Sequence, residues 1–257
     1  MAFDLFQTHK IHAEPNKLFT PLQIPGRSFT FDMMEASSIT HSSNSVSRID
    51  DVYSNGIYAE QTDADKRPTY ESANNSINFD GTDDYLAGAS GSYSNFIFII
   101  VDASGYTDAS SPEVPFAQAD VQRSIAFGAV TGSISGEAIT YLAGGRRDAT
   151  TTDLSSGVQM LGFRKATGSQ EIFLNGGDDI ADLNSGSAND FTPNAAFHIG
   201  QDGASGTRPY GGKIKVLLNL STTPDDAMMD RIFGYYAHRY SLTSILPSDH
   251  PYKTFKP

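Results

Sequence analysis

The sequence predicts an all-β fold, two packed antiparallel sheets finished by one C-terminal helix. Three observations predict it. Short runs of β-branched and aromatic residues recur along the chain, bounded by Gly, Asn and Asp turns. A capped apolar pattern of helical period stands out only near the C-terminus. The composition, 39% hydrophobic and 19% charged over 257 residues, suits one large domain with a substantial core.

Residues 1–28 carry Phe3, Phe6, Leu18, Phe19 and Leu22 without a clean period, broken by Pro15, Pro21 and Pro25. They read as an N-terminal arm, laid on its own domain or on a partner. Residues 29–257 read as one domain, because no linker-like run divides them. A first strand covers "SFTFDM", and "SITHSSNSVSRIDDVYSNG" supplies strand fragments and polar loops. In "SINFDGTDDYLAG", Ile77 and Phe79 alternate, "DGTDD" turns and "YLAG" resumes the apolar pattern. "NFIFIIVDA" is unbroken, as expected of a central strand covered on both sides. "RSIAFGAV" and "GEAITYLAG" continue the series. "VQMLGFRKA" and "QEIFLNGG" form the arms of a hairpin, with Asn175-Gly176 as the following turn. "AAFHIGQDG" and "GGKIKVLLNL" are two more strands, flanking a glycine-rich loop.

The helix is expected over 224–241. Thr223 offers an N-cap, Pro224 suits the first helical position, and Asp225 and Asp226 fall in the first turn. Met229, Ile232, Phe233, Tyr236, Ala237 and Tyr240 share one apolar face. Tyr236 and Tyr240 are expected to cover a sheet edge with their hydroxyls at the rim. "LPSDHPYKTFKP" has too many prolines for a strand interior and reads as an extended strap anchored by Leu246, Tyr252 and Phe255. Many short strands and one late helix make a β-sandwich or jelly roll.

The net charge of −12, with 18 scattered Lys and Arg residues, argues against a nucleic-acid partner. The absence of cysteine excludes disulfides, thiol catalysis and Cys-based zinc sites. "FIFIIV" is too short to cross a bilayer, and the N-terminus lacks the apolar core of a signal peptide. A soluble chain with no membrane partner is expected.

Four pieces, in order, resemble the concanavalin A-like, laminin-G-type jelly-roll domains of bacteriophage virion proteins and bacterial surface proteins. They are "RPTY" with "INFDGTDDYL", then "IFLNG", then "FHIGQDGASGTRPYGGKIKVLLNL", and finally "RIFGYYAHRYSLTSILPSDHPY". The resemblance covers about residues 29–257 and leaves the arm outside it. Family members often bear tryptophans in the first strand and before a following turn. Here those regions read "FTFDMMEASSI" and "VSRIDDVYSNG", the chain has no tryptophan, and Tyr53 takes the second place.

The resemblance implies a non-catalytic virion structural protein, decorating the capsid or forming part of a fibre or appendage. Its expected partners are phage capsid or appendage proteins. A host-surface glycan and further copies of the chain are also expected, with a trimer by analogy. The alternatives are a carbohydrate-binding adhesion module and a glycan-degrading enzyme. Fold resemblance carries no function by itself.

Candidate sites follow from residue type. Asp80, Asp83 and Asp84 in "DGTDD" are weak candidates for calcium, which takes several hard oxygen ligands, but the twelve-residue calcium loop and its closing Glu are missing. "GGDDIAD", Gly176 to Asp182, is a similar acidic turn. Arg67 with Tyr70, and Arg208 with Tyr210, are candidate glycan or protein contacts. The competing account has each arginine satisfying loop carbonyls or aspartates. No catalytic set is expected. The strong strands lack paired carboxylates, and nucleophile-elbow, zinc-protease and phosphate-loop motifs are missing. His238 and His250 lack completing partners in sequence, and no cofactor is expected.

Overall fold

The computed structural model describes residues 18–53, 55–89, 95–102, 113–118, 123–127, 138–142, 145–148, 157–166, 169–180, 196–203 and 208–257. Phe3 and Phe6 of the arm, and Asp182, lie outside the described residues.

The chain is an all-β jelly-roll sandwich with a C-terminal helix. In chain order the first eight strands are β1 (Arg27–Asp32), β2 (Ile39–Ser42), β3 (Ser45–Asp50), β4 (Tyr58–Glu60), β5 (Thr69–Glu71), β6 (Ser76–Asp80), β7 (Leu86–Gly88) and β8 (Phe96–Asp102). Then come β9 (Glu113–Gln118), β10 (Arg123–Phe127), β11 (Ala138–Leu142), β12 (Gly145–Asp148), β13 (Val158–Ala166), β14 (Ser169–Leu174), β15 (Phe197–Ile199) and β16 (Gly211–Leu220). Helix α1 spans Asp226–Arg239. Neighbours pair antiparallel in the order β12-β11-β10-β9-β15-β7-β4-β3-β5-β6-β16-β8-β13-β14, with β1 added on β16 and β2 on β3. The sheet curls so that its two halves face one another.

Strand β8 shows why the sequence builds three layers. Ile97, Ile99 and Val101 point into the core between the sheet halves. Phe96, Phe98 and Ile100 point to the opposite face, under α1. Successive strand side chains alternate faces, so an unbroken apolar run needs cover on both sides. Strand β16 does the same with one correction. Ile214 faces the inner core, yet Val216, two residues on, faces the helix. The register against β8 shifts between Ile214 and Val216. That bulge reverses the parity, after which Leu217 faces inward and Leu218 outward.

Aromatic rings join the sandwich halves. Phe29 of β1 stacks on Phe197 of β15 at 5.0 Å between centroids, and Phe31 lies 6.1 Å from the same ring. Fully burying side chains of this size stabilises by about 1.5–3 kcal/mol each.

The helix begins two residues later than its local signals suggest. Asp225, not Thr223, is the N-cap, its carboxylate accepting from Met228 N at 2.8 Å. The Thr223 hydroxyl is engaged elsewhere, donating to Lys165 O at 3.2 Å. The apolar face is as read: Met229, Ile232, Phe233, Tyr236 and Ala237 are buried. Tyr236, however, is wholly buried rather than at a rim, and among the described residues its hydroxyl finds no hydrogen-bond partner. Phe98 explains its depth, stacking on the Tyr236 ring at 5.0 Å.

The C-terminal strap turns back along the helix. Leu246 is buried, and the would-be Cβ of Gly234 falls 2.5 Å from Tyr252 Cβ, so only glycine lets the strap lie this close. Phe255 stays 64% exposed. At the other end of the chain, Phe19 and Ile24 are buried in the helix layer while Leu18 and Leu22 are exposed. Phe19 N donates to Pro257 O at 3.1 Å, so the start of the described chain pairs with its end.

Candidate functional site

Three of the residues singled out by sequence, Asp80, Asp83 and Asp84, lie together at the turn between β6 and β7. The β6–β7 turn needs Gly81, at φ +75°, and its apex packs against Gly211 at the start of β16. Asp80 Oδ1 accepts from Thr82 N at 2.8 Å and Asp83 N at 3.3 Å. Asp84 Oδ2 accepts from Asp80 N at 3.1 Å. These are the bonds of a turn that holds itself. The three side chains each bring a carboxylate oxygen within 4.8 Å of the others. Burial, then the charges of Asp80 and Asp83, push the Asp84 carboxyl up from 3.8 to about 6. At neutral pH the turn therefore holds mutually repelling carboxylates.

Arg67 and Arg208 lie near this turn but face inward. Arg67 donates from Nε to Gln61 O at 2.9 Å and from Nη2 to Thr62 O at 3.0 Å. Arg208 Nη1 lies 3.8 Å from Asp202, whose carboxylate is buried. The tyrosines are core residues. Tyr70 is 5% exposed and its hydroxyl points at Met33 O, 3.4 Å away. Tyr210 is fully buried, with Asp102 O and Lys213 O each 3.4 Å from its hydroxyl, and burial drives its pKa well up. Neither ring offers a face to a ligand at the surface. Tyr70 pairs with Ile77 in register, and Tyr210 packs on Phe79, 6.2 Å between centroids, so each joins the inner core.

The structure also forms a site the sequence hides. A cleft of 510 Å³ opens between α1, the β13–β14 hairpin with its following turn, and the C-terminal strap. Glu171, Asp178, Asp179, Asp226, Asp230 and Asp249 line it, against one guanidinium, Arg164. Met229, Phe233, Pro247 and Pro251 add apolar surface. Asn175 and Gly176, at φ +54° and +80°, turn the chain into this wall. The Asn175 carboxamide fixes the turn by accepting from Met160 N at 2.9 Å and donating to Gln159 Oε1 at 2.8 Å.

Several of the carboxylates are held. Arg164 reaches Glu171 Oε2 at 2.5 Å and Asp226 Oδ1 at 2.6 Å, and its guanidinium lies 4.9 Å above the Phe173 ring. Asp179 Oδ1 accepts from Ile172 N at 2.8 Å. Asp230 differs: burial pushes its carboxyl up, opposed by His250, whose Nε2 lies 3.8 Å from Asp230 Oδ1. His250 is itself buried, and burial lowers its pKa. Of the sequence candidates, "GGDD", Gly176 to Asp179, and His250 belong to this cleft, whereas His238 does not line it. Its other walls come from segments dozens of residues apart, which no local motif announces.

No protein-family model matches the chain, and no curated protein is similar to it in sequence. Solved structures share its shape. A Trypanosoma rangeli sialidase is similar over 82% of this chain at 12% identity, with a TM-score of 0.55. A point mutant of HCR/D is similar over 81% of it at 9% identity, with a TM-score of 0.52. The chain spans 33% of the sialidase's length and 51% of that of HCR/D. At these identities the likeness shows the fold alone, a β-sandwich.

Proposed function

We propose that this chain is a non-catalytic structural and recognition module of a bacteriophage virion. It is carried on the capsid or on a fibre or appendage, in several copies, and engages a host-surface glycan. The phage assignment rests on the ordered sequence pieces from "RPTY" to "LPSDHPY" that resemble virion jelly rolls.

The non-catalytic part rests on one observation, the clamp that Arg164 places on both Glu171 and Asp226. A glycosidase needs one carboxyl protonated and another free to attack or activate water across the same bond. An arginine bridging two carboxylates ties one oxygen of each to a fixed cation. Such a wall suits hydrogen bonding to a ligand better than proton transfer.

Two measurements test the proposal. Antibody-labelled electron micrographs of particles should place this chain on the capsid or an appendage; unlabelled intact particles would overturn the virion assignment. Incubation with a panel of polysaccharides should release no product. Release abolished by one Asp or Glu substitution would overturn the non-catalytic part.

A further inference from the structure

We infer that the cleft between α1, the β13–β14 hairpin and the strap is a subsite for a neutral, hydroxyl-rich sugar. This deepens the recognition reading above and rests on it. The argument starts from His250. Its Nδ1 accepts from the backbone N–H of Tyr252 at 3.2 Å. A backbone N–H can only donate, so Nδ1 is the bare nitrogen of the neutral ring and Nε2 carries the proton. Among the described residues that Nε2–H has no hydrogen-bond partner, and the side chain is 1% exposed. Buried donors are almost always satisfied, so an unpaired one in a cleft wall calls for an acceptor.

Asp230 Oδ1 faces it at 3.8 Å, too far for a hydrogen bond. One oxygen atom at about 2.7–3.0 Å from each would close the gap, if it accepts from Nε2–H and donates to the carboxylate. Asp230, 38% exposed on α1, can swing to admit it. A water does both jobs, and so does a sugar hydroxyl that takes its place. An ammonium cannot accept from Nε2–H, and a carboxylate or sulfate cannot donate to Asp230.

The rest of the cleft agrees. Its excess of carboxylates accepts hydroxyl protons and repels acidic sugars. The apolar atoms of Met229, Pro247 and Pro251 can meet the C–H face of a sugar ring. Its 510 Å³ lies within the range of about 300–1,000 Å³ typical of small-molecule sites. A metal ion fits poorly: among the described residues the three-carboxylate cluster with ligand spacing is at Asp80, Asp83 and Asp84, not here.

Saturation-transfer NMR on the full chain tests the inference. Galactose, N-acetylglucosamine and maltose serve as neutral probes, N-acetylneuraminic and glucuronic acids as acidic probes, and spermidine as a cationic probe. At least one neutral sugar should bind. Asp230→Ala, at a half-exposed helix position that alanine suits, should weaken it about tenfold or more. His250→Phe should do the same, with a thermal melt reporting whether the strap stays docked. Neutral-sugar binding indifferent to Asp230→Ala would overturn the subsite and leave the recognition reading standing. Displacement of the neutral sugar by spermidine or the acidic sugars would overturn the ligand class. No binding by any sugar would overturn the subsite and the glycan part of the recognition reading together, while the particle micrographs still judge the virion assignment.

Discussion

Asp32 accepts the hydroxyl of Tyr240 on Oδ1 at 2.7 Å, across 208 residues of chain. Its other oxygen takes Arg239 Nε at 2.7 Å. One buried carboxylate at the end of β1 thus pins the last turn of α1 to the sheet. Arg239 also pairs with the more exposed Glu35. Removing one member of a buried ion pair strands the other, at about 3–5 kcal/mol when both are dry. Arg239 keeps some solvent contact, so Asp32→Ala is expected to cost about 2–3 kcal/mol, below that range. Asp32→Asn keeps an acceptor for Tyr240 and should cost less. Urea melts check both. Equal loss in the two variants would mean that charge, not hydrogen bonding, carries the contact.

Phe233 is the next test of the helix layer. Its ring meets Phe98 edge-on at 5.1 Å and lies over Gly162 of β13. A Cβ on Gly162 would stand 3.1 Å from the Phe233 ring and 3.2 Å from Phe96. Phe233→Ala should cost about 3–5 kcal/mol, as for other buried aromatics. Gly162→Val should cost about 1–3 kcal/mol by overpacking the same contact from below. If Phe233→Ala cost under about 1 kcal/mol, the packing described for this face would be wrong.

Asp84 makes stability depend on pH. Burial, with Asp80 and Asp83, raises its folded pKa to about 6, above the ordinary 3.8. A raised carboxyl contributes stability that is complete below the unfolded value and is lost as pH rises through the folded one. The Asp84 contribution should therefore fall between about pH 4 and pH 6, the interval bounded by those two values. Asp84→Asn should remove that slope, read as the difference between variant and parent melting temperatures at each pH. Millimolar calcium should change the melting temperature little, because the Asp80 and Asp84 carboxylates already accept from the turn's own backbone N–H groups. A large rise lost in Asp83→Asn or Asp84→Asn would assign the turn to calcium.

Much of this fold is legible in the chain, for reasons that vary by element. β8 reads correctly because its unbroken apolar run has only one physical use, cover on both faces. The hairpin and Asn175-Gly176 read correctly because positive φ has few residue solutions. The helix start misleads because Thr223 satisfies a local rule while a carbonyl on β13 claims its hydroxyl. Tyr70 and Tyr210 look like rim residues beside arginines, yet strand register turns the Tyr70 ring inward and Tyr210, just ahead of β16, is fully buried against Phe79. The cleft could not be read at all. Arg164, Asp230 and His250 become neighbours only when the strap folds back over the helix. The local hints were the Asp pair after Asn175-Gly176 and His250, whose partners lie far away in sequence.

His250 should make the strap acid-sensitive. Burial lowers its pKa below 6.5, against the pull of Asp230 and Asp249 and with Lys253 nearby. A lowered histidine contributes stability that is complete above the unfolded value and is lost as pH falls through the folded one. Below pH 6.5 the strap should therefore loosen, against the trend set by Asp84 at still lower pH. Amide exchange at Lys253, whose N–H donates to His250 O at 3.0 Å, reports it. Exchange there should quicken on acidification more than at Met229, once the intrinsic rates are divided out. His250→Gln, which does not titrate, should remove the difference. Equal acid responses at both amides in the parent would place the titration elsewhere.

The N-terminal segment separates folding from assembly. Phe19 and Ile24 are buried against the helix layer, and Ser221 N donates to Gly26 O at 2.7 Å. Residues 18–28 are thus joined to the sandwich by packing and by hydrogen bonds. Leu18 and Leu22 stay exposed, and Leu18 borders a 340 Å³ groove with Met34, Tyr235 and Pro257. If the arm binds a capsid or appendage subunit, deletion of residues 1–17 should leave the melting transition intact and abolish incorporation into particles. Deletion of residues 1–28 should in addition lower stability by several kcal/mol, since it removes two buried apolar side chains at about 1.5–3 kcal/mol each. Leu18→Asp with Leu22→Asp, in the otherwise full chain, should keep the fold and weaken incorporation if this exposed apolar pair contributes to the contact. Incorporation unchanged by the short deletion would remove the arm from assembly. A short deletion that loses cooperative melting would instead assign residues 1–17 to the chain's own core.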